Sequence, residues 1–145
     1  MEEVNWVTPR QFLIGGGIVL LLLGIVGFLN VFSESGTPAF WLDQGENVAH
    51  TFLGVVALAI VFVPGLNNAF APLYRWVVIL VGLLALFFAV YGFLQPAGSS
   101  SNPNTFGVAN LENPLDNILH LVVAIWAFIA AFGPGAREEP VGARM

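Results

Sequence analysis

Four stretches of this chain are almost free of charge, and short polar clusters separate them. Phe12 to Phe32 and Trp76 to Leu94 carry no charge. Val48 to Val63 is shorter, but a helix starting near Gln44 is long enough to span a bilayer. Leu115 to Phe132 has one formal charge, Asp116, at its edge. Crossing a hydrocarbon core of about 30 Å takes roughly 17–25 helical residues, and backbone exposed to lipid must satisfy its own hydrogen bonds. Each stretch therefore predicts a transmembrane helix. Turn residues mark the connections: Ser33 to Pro38, Pro64 to Asn68, Pro96 to Pro103 with Ser99-Ser100-Ser101 inside it, and Pro134-Gly135. The acidic start, Met1-Glu2-Glu3, lacks the basic region of a secretory signal, and the first apolar run is too long for one, so it reads as a retained span.

The pattern repeats. Gly27-Phe28-Leu29-Asn30 closes the first stretch, and Gly92-Phe93-Leu94-Gln95 closes the third, 65 positions later. Glu46-Asn47-Val48-Ala49-His50 opens the second, and Asp116-Asn117-Ile118-Leu119-His120 opens the fourth, 70 positions later. Pro64-Gly65 and Pro134-Gly135 keep the same 70-residue offset. Two spans per copy insert both copies the same way up, as parallel repeats about an axis along the membrane normal. The expected fold is an all-α integral membrane protein of four transmembrane helices in two parallel two-helix repeats. Its parts are a segment 1–11, repeat 1 over 12–65, a loop 66–75, repeat 2 over 76–135 and a tail 136–145.

Charge sets the orientation. Arg10, Arg75, Arg137 and Arg144 all fall on one side of a four-span chain, and the first and third loops carry no cation. The positive-inside rule makes segment 1–11, loop 66–75 and the tail cytoplasmic, in a plasma (inner) or internal membrane. Trp6, Trp41, Tyr74 and Trp76 sit near span ends, where amphipathic rings favour the interface. Composition agrees: hydrophobic residues are 57% and charged residues 9%, against about 25% charged in soluble domains. Four scattered arginines and a net charge of −5 argue against nucleic-acid binding. The absence of Cys excludes disulfides, thiolate metal sites and cysteine nucleophiles. There is no phosphate loop, no Gly-x-Ser-x-Gly elbow and no assembled triad. Gly15-Gly16-Gly17 lies inside an apolar helix, without the strand a dinucleotide fold needs. The expectation is a non-enzyme.

Small and polar residues share faces. Gly17, Gly24 and Gly27 lie together on the first helix, and Gly82, Ala85, Ala89 and Gly92 on the third. On the second, Asn47, His50, Gly54 and Ala57 follow spacings of three, four and three, and Asn117, His120, Ala124 and Ala127 repeat them on the fourth. Small residues let membrane helices approach closely, so these faces should meet protein. Glu46 stands three after Asp43, and Asp116 three after Asn113 with Pro114 next. Both groups read as capping boxes. The alternative makes Glu46, His50, Asp116 and His120 metal ligands through their i,i+4 spacing. An ionisable residue a turn inside a span is by default a functional hypothesis. Hydrogen-bonded structural histidines are the plain reading of His50 and His120. The sharper one is axial ligation of a tetrapyrrole, chlorophyll or haem b. His50 and His120 would be the ligands, flanked by Asn47 and Asn117, with Gly54 and Ala124 leaving room beside the rings.

The Asp-Asn-x-x-His-Leu run at 116–121, Asn47-Val48-Ala49-His50 with Gly54, and the paired Gly-Phe steps together resemble a family of bacterial four-helix membrane proteins known only as a domain of unknown function. The resemblance covers roughly residues 12 to 133. It departs where that family often has Gly and this chain has Ala124. It implies the topology and the repeat but no activity. The functional expectation is an accessory or stabilising subunit of a larger membrane complex, holding a tetrapyrrole through His50 and His120. Its partners would be lipids and either other membrane proteins or further copies of itself. A haem-b electron carrier is one alternative. The other is a small transporter or channel whose Asn and His pairs line a vestibule.

Overall fold

The computed structural model of the chain describes residues 7–29, 42–96 and 105–137, and these are helical apart from their connections. Trp6, Trp41, the turn 33–38, the serine run and the tail beyond 137 lie outside the described residues. Helix α1 spans Pro9–Phe28, α2 Gln44–Phe62, α3 Pro64–Phe70, α4 Tyr74–Phe93 and α5 Leu115–Phe132. Four helical segments are long and apolar enough to cross a membrane, as expected of a multi-pass membrane protein; the third runs from Pro64 to Phe93.

Helix α1 starts three residues earlier than the apolar run does. Thr8 is its N-cap, the Thr8 hydroxyl accepting the Gln11 N–H at 3.2 Å. Pro9 fills the first position, where a missing N–H costs nothing. At the other end Leu29 is the C-cap.

Pro64 does not open a loop, as its Pro-Gly pairing suggests. It has no N–H for the Ile60 carbonyl, so α2 ends, and its fixed φ starts α3 at once. Most of 66–75 is therefore helical: α3, then a 3₁₀ turn over Ala71–Leu73, then α4. The break leaves carbonyls that other groups satisfy. The Tyr74 hydroxyl donates to the Ile60 oxygen at 3.0 Å, and Asn67 Nδ2 donates to the Val61 oxygen at 2.6 Å.

The helices pack as two antiparallel pairs, α1 with α2 and α4 with α5. Gly27 lies on Asn47, Gly24 on Thr51, and Gly17 on Ala57 and Leu58. In the second pair Gly92 lies on Asn117, and Gly82 on Ala127 and Phe128. The pairs join through α1, which touches both α4 and α5, and through the Tyr74–Ile60 hydrogen bond between α4 and α2. The Trp126 ring sits on Gly15, where a Cβ would come 3.1 Å from Cη2, and meets Phe12 edge-on at 4.6 Å between centroids. Phe12, Leu13, Ile60, Val61, Tyr74 and Val78 form an apolar core with Ala127, Ala130 and Ala131. This core fills the end of the bundle where α2 and α5 finish. Outward rows such as Ile18, Val19 and Leu22 on α1, or Val122, Ile125 and Ile129 on α5, are exposed. Apolar surface that continuous suits lipid rather than water.

Candidate functional site

The opposite end, where α2 and α5 begin, is polar. Helix α2 enters through a reciprocal capping box: the Glu46 N–H donates to Asp43 Oδ1 at 2.9 Å, and the Asp43 N–H donates to Glu46 Oε2 at 3.0 Å. The expected second box does not form. Pro114 is the N-cap of α5 rather than its first residue, and α5 has no side-chain cap. Asn113 instead turns its amide away, Nδ2 donating to the Gln95 carbonyl just beyond α4. Asp116 is left to its histidine. His120 Nδ1 lies 2.9 Å from the Asp116 carbonyl oxygen and 3.4 Å from Asp116 Oδ2. The imidazole leans on Phe88 of α4 at 5.7 Å between centroids.

The two asparagines sit deepest. Asn117 is 0% exposed and Asn47 3%. Each lays its amide oxygen against the glycine facing it, Gly92 or Gly27, so closely that a Cβ on that glycine would overlap the amide. Among the described residues neither Oδ1 has a conventional donor. A Cα–H of the facing glycine is the group within reach, a contact worth about 0.5–1 kcal/mol. Only glycine permits that approach. The residue types at 27, 47, 92 and 117 therefore share one steric cause.

The predicted residues divide in two. Asn47, Asn117, Gly54 and Ala124 serve helix–helix packing. A Cβ on Gly54 would come 2.6 Å from the Leu21 amide nitrogen and 2.9 Å from the Gly17 carbonyl oxygen, so α1 occupies the room that glycine leaves. Ala124 is buried on the face of α5 that meets α4. Glu46 and His50 from the first half and Asp116 and His120 from the second lie at the same polar end. Glu46 lies within electrostatic reach of Asp116 and of His120, and His50 of both Asp116 and His120. No three of the described His, Asp or Glu side chains form a group able to hold a metal ion by themselves. His50 Nδ1 is buried without a hydrogen-bond partner among the described residues.

A segment of no evident importance in the sequence covers this end. Thr105 and Ala109 pair across a tight turn made by Phe106 (φ 53°) and Gly107 (φ 74°). The Phe106 ring lies 6.2 Å from Phe87 and 6.5 Å from Tyr91, which holds the turn to the outer face of α4. Ala109, Asn110 and Leu111 then run inward and are buried. The Asn110 N–H donates to the Glu46 carboxylate, which ties this strap to the first half. Nothing local marks Asn110, because its importance depends on a contact 64 residues away in sequence. No family model, curated protein or solved structure matches the chain.

Proposed function

We propose that the chain is a non-catalytic multi-pass membrane protein, an accessory or stabilising subunit of a larger membrane complex, with its polar end as the working part. The observation that carries this reading is the gathering of Glu46, His50, Asp116 and His120 from both halves at one end of an otherwise apolar bundle. Charged groups at such depth are costly in a membrane and are kept where they bind or relay something. Arg10 and Arg75 begin α1 and α4, and Arg137 follows α5, so these arginines mark the other end. By the positive-inside rule that end is cytoplasmic and the polar end extracytoplasmic. The two helix pairs are then parallel repeats, supported by the matched Gly27–Asn47 and Gly92–Asn117 contacts.

The chain has no Cys, so single cysteines at Arg75 and Glu112 test the topology directly with an impermeant thiol reagent. Labelling of Glu112→Cys alone in intact cells is expected, and the reverse pattern would overturn the orientation. Purification in mild detergent tests the subunit reading, which fails if the protein emerges alone, colourless and monomeric.

Tetrapyrrole ligation is the second reading, favoured by the geometry of His120. A neutral ring that donates Nδ1–H to the Asp116 carbonyl keeps its lone pair on Nε2, the arrangement found at metal-ligating histidines. Expression with haem supplied should give a Soret band that His120→Ala removes. Absence of the band in the parent protein discards haem.

A further inference from the structure

We infer that the end of the bundle opposite the polar one binds an anionic phospholipid, its phosphate on Arg75 and an acyl chain along the exposed side of α5. The first ground is the setting of the guanidinium. Arg75 lies in the first turn of α4 and is exposed. Its Cζ stands 5.3 Å from the centroid of the Phe132 ring, the last residue of α5. A guanidinium stacked on a ring is held in place while its N–H groups stay open at the edge. Among the described residues no carboxylate or other acceptor meets them. That planar fork matches two oxygens of a phosphate.

The second ground is the charge of the whole end. Asp43, Glu46, Glu112 and Asp116 are the acids among the described residues, and all lie at the polar end. Arg10, in the first turn of α1, and Arg137, which closes the 3₁₀ turn Pro134–Arg137, share the end with Arg75. Phe12 and Tyr74 meet in one apolar core, which ties the starts of α1 and α4 together. Glu138 and Glu139 follow Arg137 in the sequence and lie outside the described residues. The third ground is the apolar surface that adjoins the charge. Trp76 and Phe132 are both more than half exposed, at the ends of spans where the headgroups lie. The Phe128 ring lies 6.3 Å from Phe132, and Ile129 and Ile125 continue the exposed row into the membrane-spanning stretch. A free anion or an acidic peptide would leave that row unused. A phospholipid uses both parts, and basic positions between membrane helices are where anionic headgroups bind.

This inference rests on the reading of the chain as a multi-pass membrane protein, but on neither its orientation nor its polar end. A protein that purifies alone and colourless would still carry the site. The full chain in detergent micelles is titrated with phosphatidylglycerol or with phosphatidylcholine and followed by native mass spectrometry. The first phosphatidylglycerol should bind several-fold more tightly than phosphatidylcholine. Arg75→Gln should cut that preference about fivefold, the worth of one cation near a charged lipid surface. Phe132→Leu should cut it less, and binding of phosphatidylcholine should be unchanged in both. Equal affinity of the unaltered protein for the two lipids overturns the inference. An undiminished preference in a folded Arg75→Gln variant also overturns it, and is the result expected if the acids of the tail occupy Arg75. Displacement of the lipid by a few millimolar inorganic phosphate overturns it too, because the occupant is then a free anion.

Discussion

The two halves share a pattern and differ in how tightly they close. In the first, Gly24 and Gly54 bring α1 and α2 into backbone contact: a Cβ on Gly24 would come 2.7 Å from the Thr51 amide nitrogen and 2.9 Å from the Asn47 carbonyl oxygen. In the second, the matching positions are Ala89 and Ala124, both buried, so a methyl group stands where the first half has none. The Asn–Gly contact survives in both. It fixes the depth at which each pair meets, while the residues between it and the opposite end set the spacing. Capping differs in the same sense. Asp43 and Glu46 serve each other, whereas Asn113 and Asp116 are released to Gln95 and His120. The first half is the more self-contained, and the second half spends its polar groups on its surroundings.

Exchanging the small residues should break this contrast most strongly. Gly54→Ala forces a methyl against backbone that cannot yield, and should cost near the top of the about 1–3 kcal/mol range for overpacking. Ala124→Gly removes a methyl from a looser pair and adds backbone freedom, for about 1 kcal/mol. Thermal unfolding of both variants in the same detergent measures the difference. A larger loss for Ala124→Gly would reverse the assignment of the tighter pair.

The break at Pro64 comes next. Tyr74→Phe leaves the Ile60 carbonyl buried without its donor. A loss of about 1–2 kcal/mol is expected. Asp43→Ala should then cost about 1 kcal/mol through the lost cap. Asp116→Ala, which caps nothing, should leave α5 helicity unchanged; amide hydrogen exchange in the first turns of α2 and α5 reads the two together. The smallest effect belongs to Gly65→Ala. A Cβ there meets nothing within 4 Å, so a gain of about 0.4–1 kcal/mol is expected.

The helices were legible because membrane spanning is a statement about length and charge, which a sequence displays directly. The small-residue faces were legible because their spacing is helical and both copies carry them. The matching spacing of the two copies hid their divergence: Asn113 and Asp116 are spaced as Asp43 and Glu46 are, yet only a folded chain shows that Asn113 reaches Gln95 first. Pro64-Gly65 read as a stop because the donor that rescues the broken helix, Tyr74, stands 14 residues from the orphaned carbonyl of Ile60. Gly54 read as open space beside a ring because a missing side chain looks the same whether a ligand or a neighbouring backbone fills the gap.

Gly15 and Trp126 meet without a counterpart in the other half, where Leu80 and Val56 occupy the matching positions and are both exposed. This one contact between the halves is thus unmatched, and it places an indole at the junction. Trp76, at the start of α4, is 66% exposed, whereas Trp126 is pressed between Gly15 and Phe12. The molecule therefore carries its own optical gauge: the emission of Trp126, isolated by replacing the other tryptophans with Phe, would report whether the two hairpins are docked or parted as the bundle assembles in the bilayer.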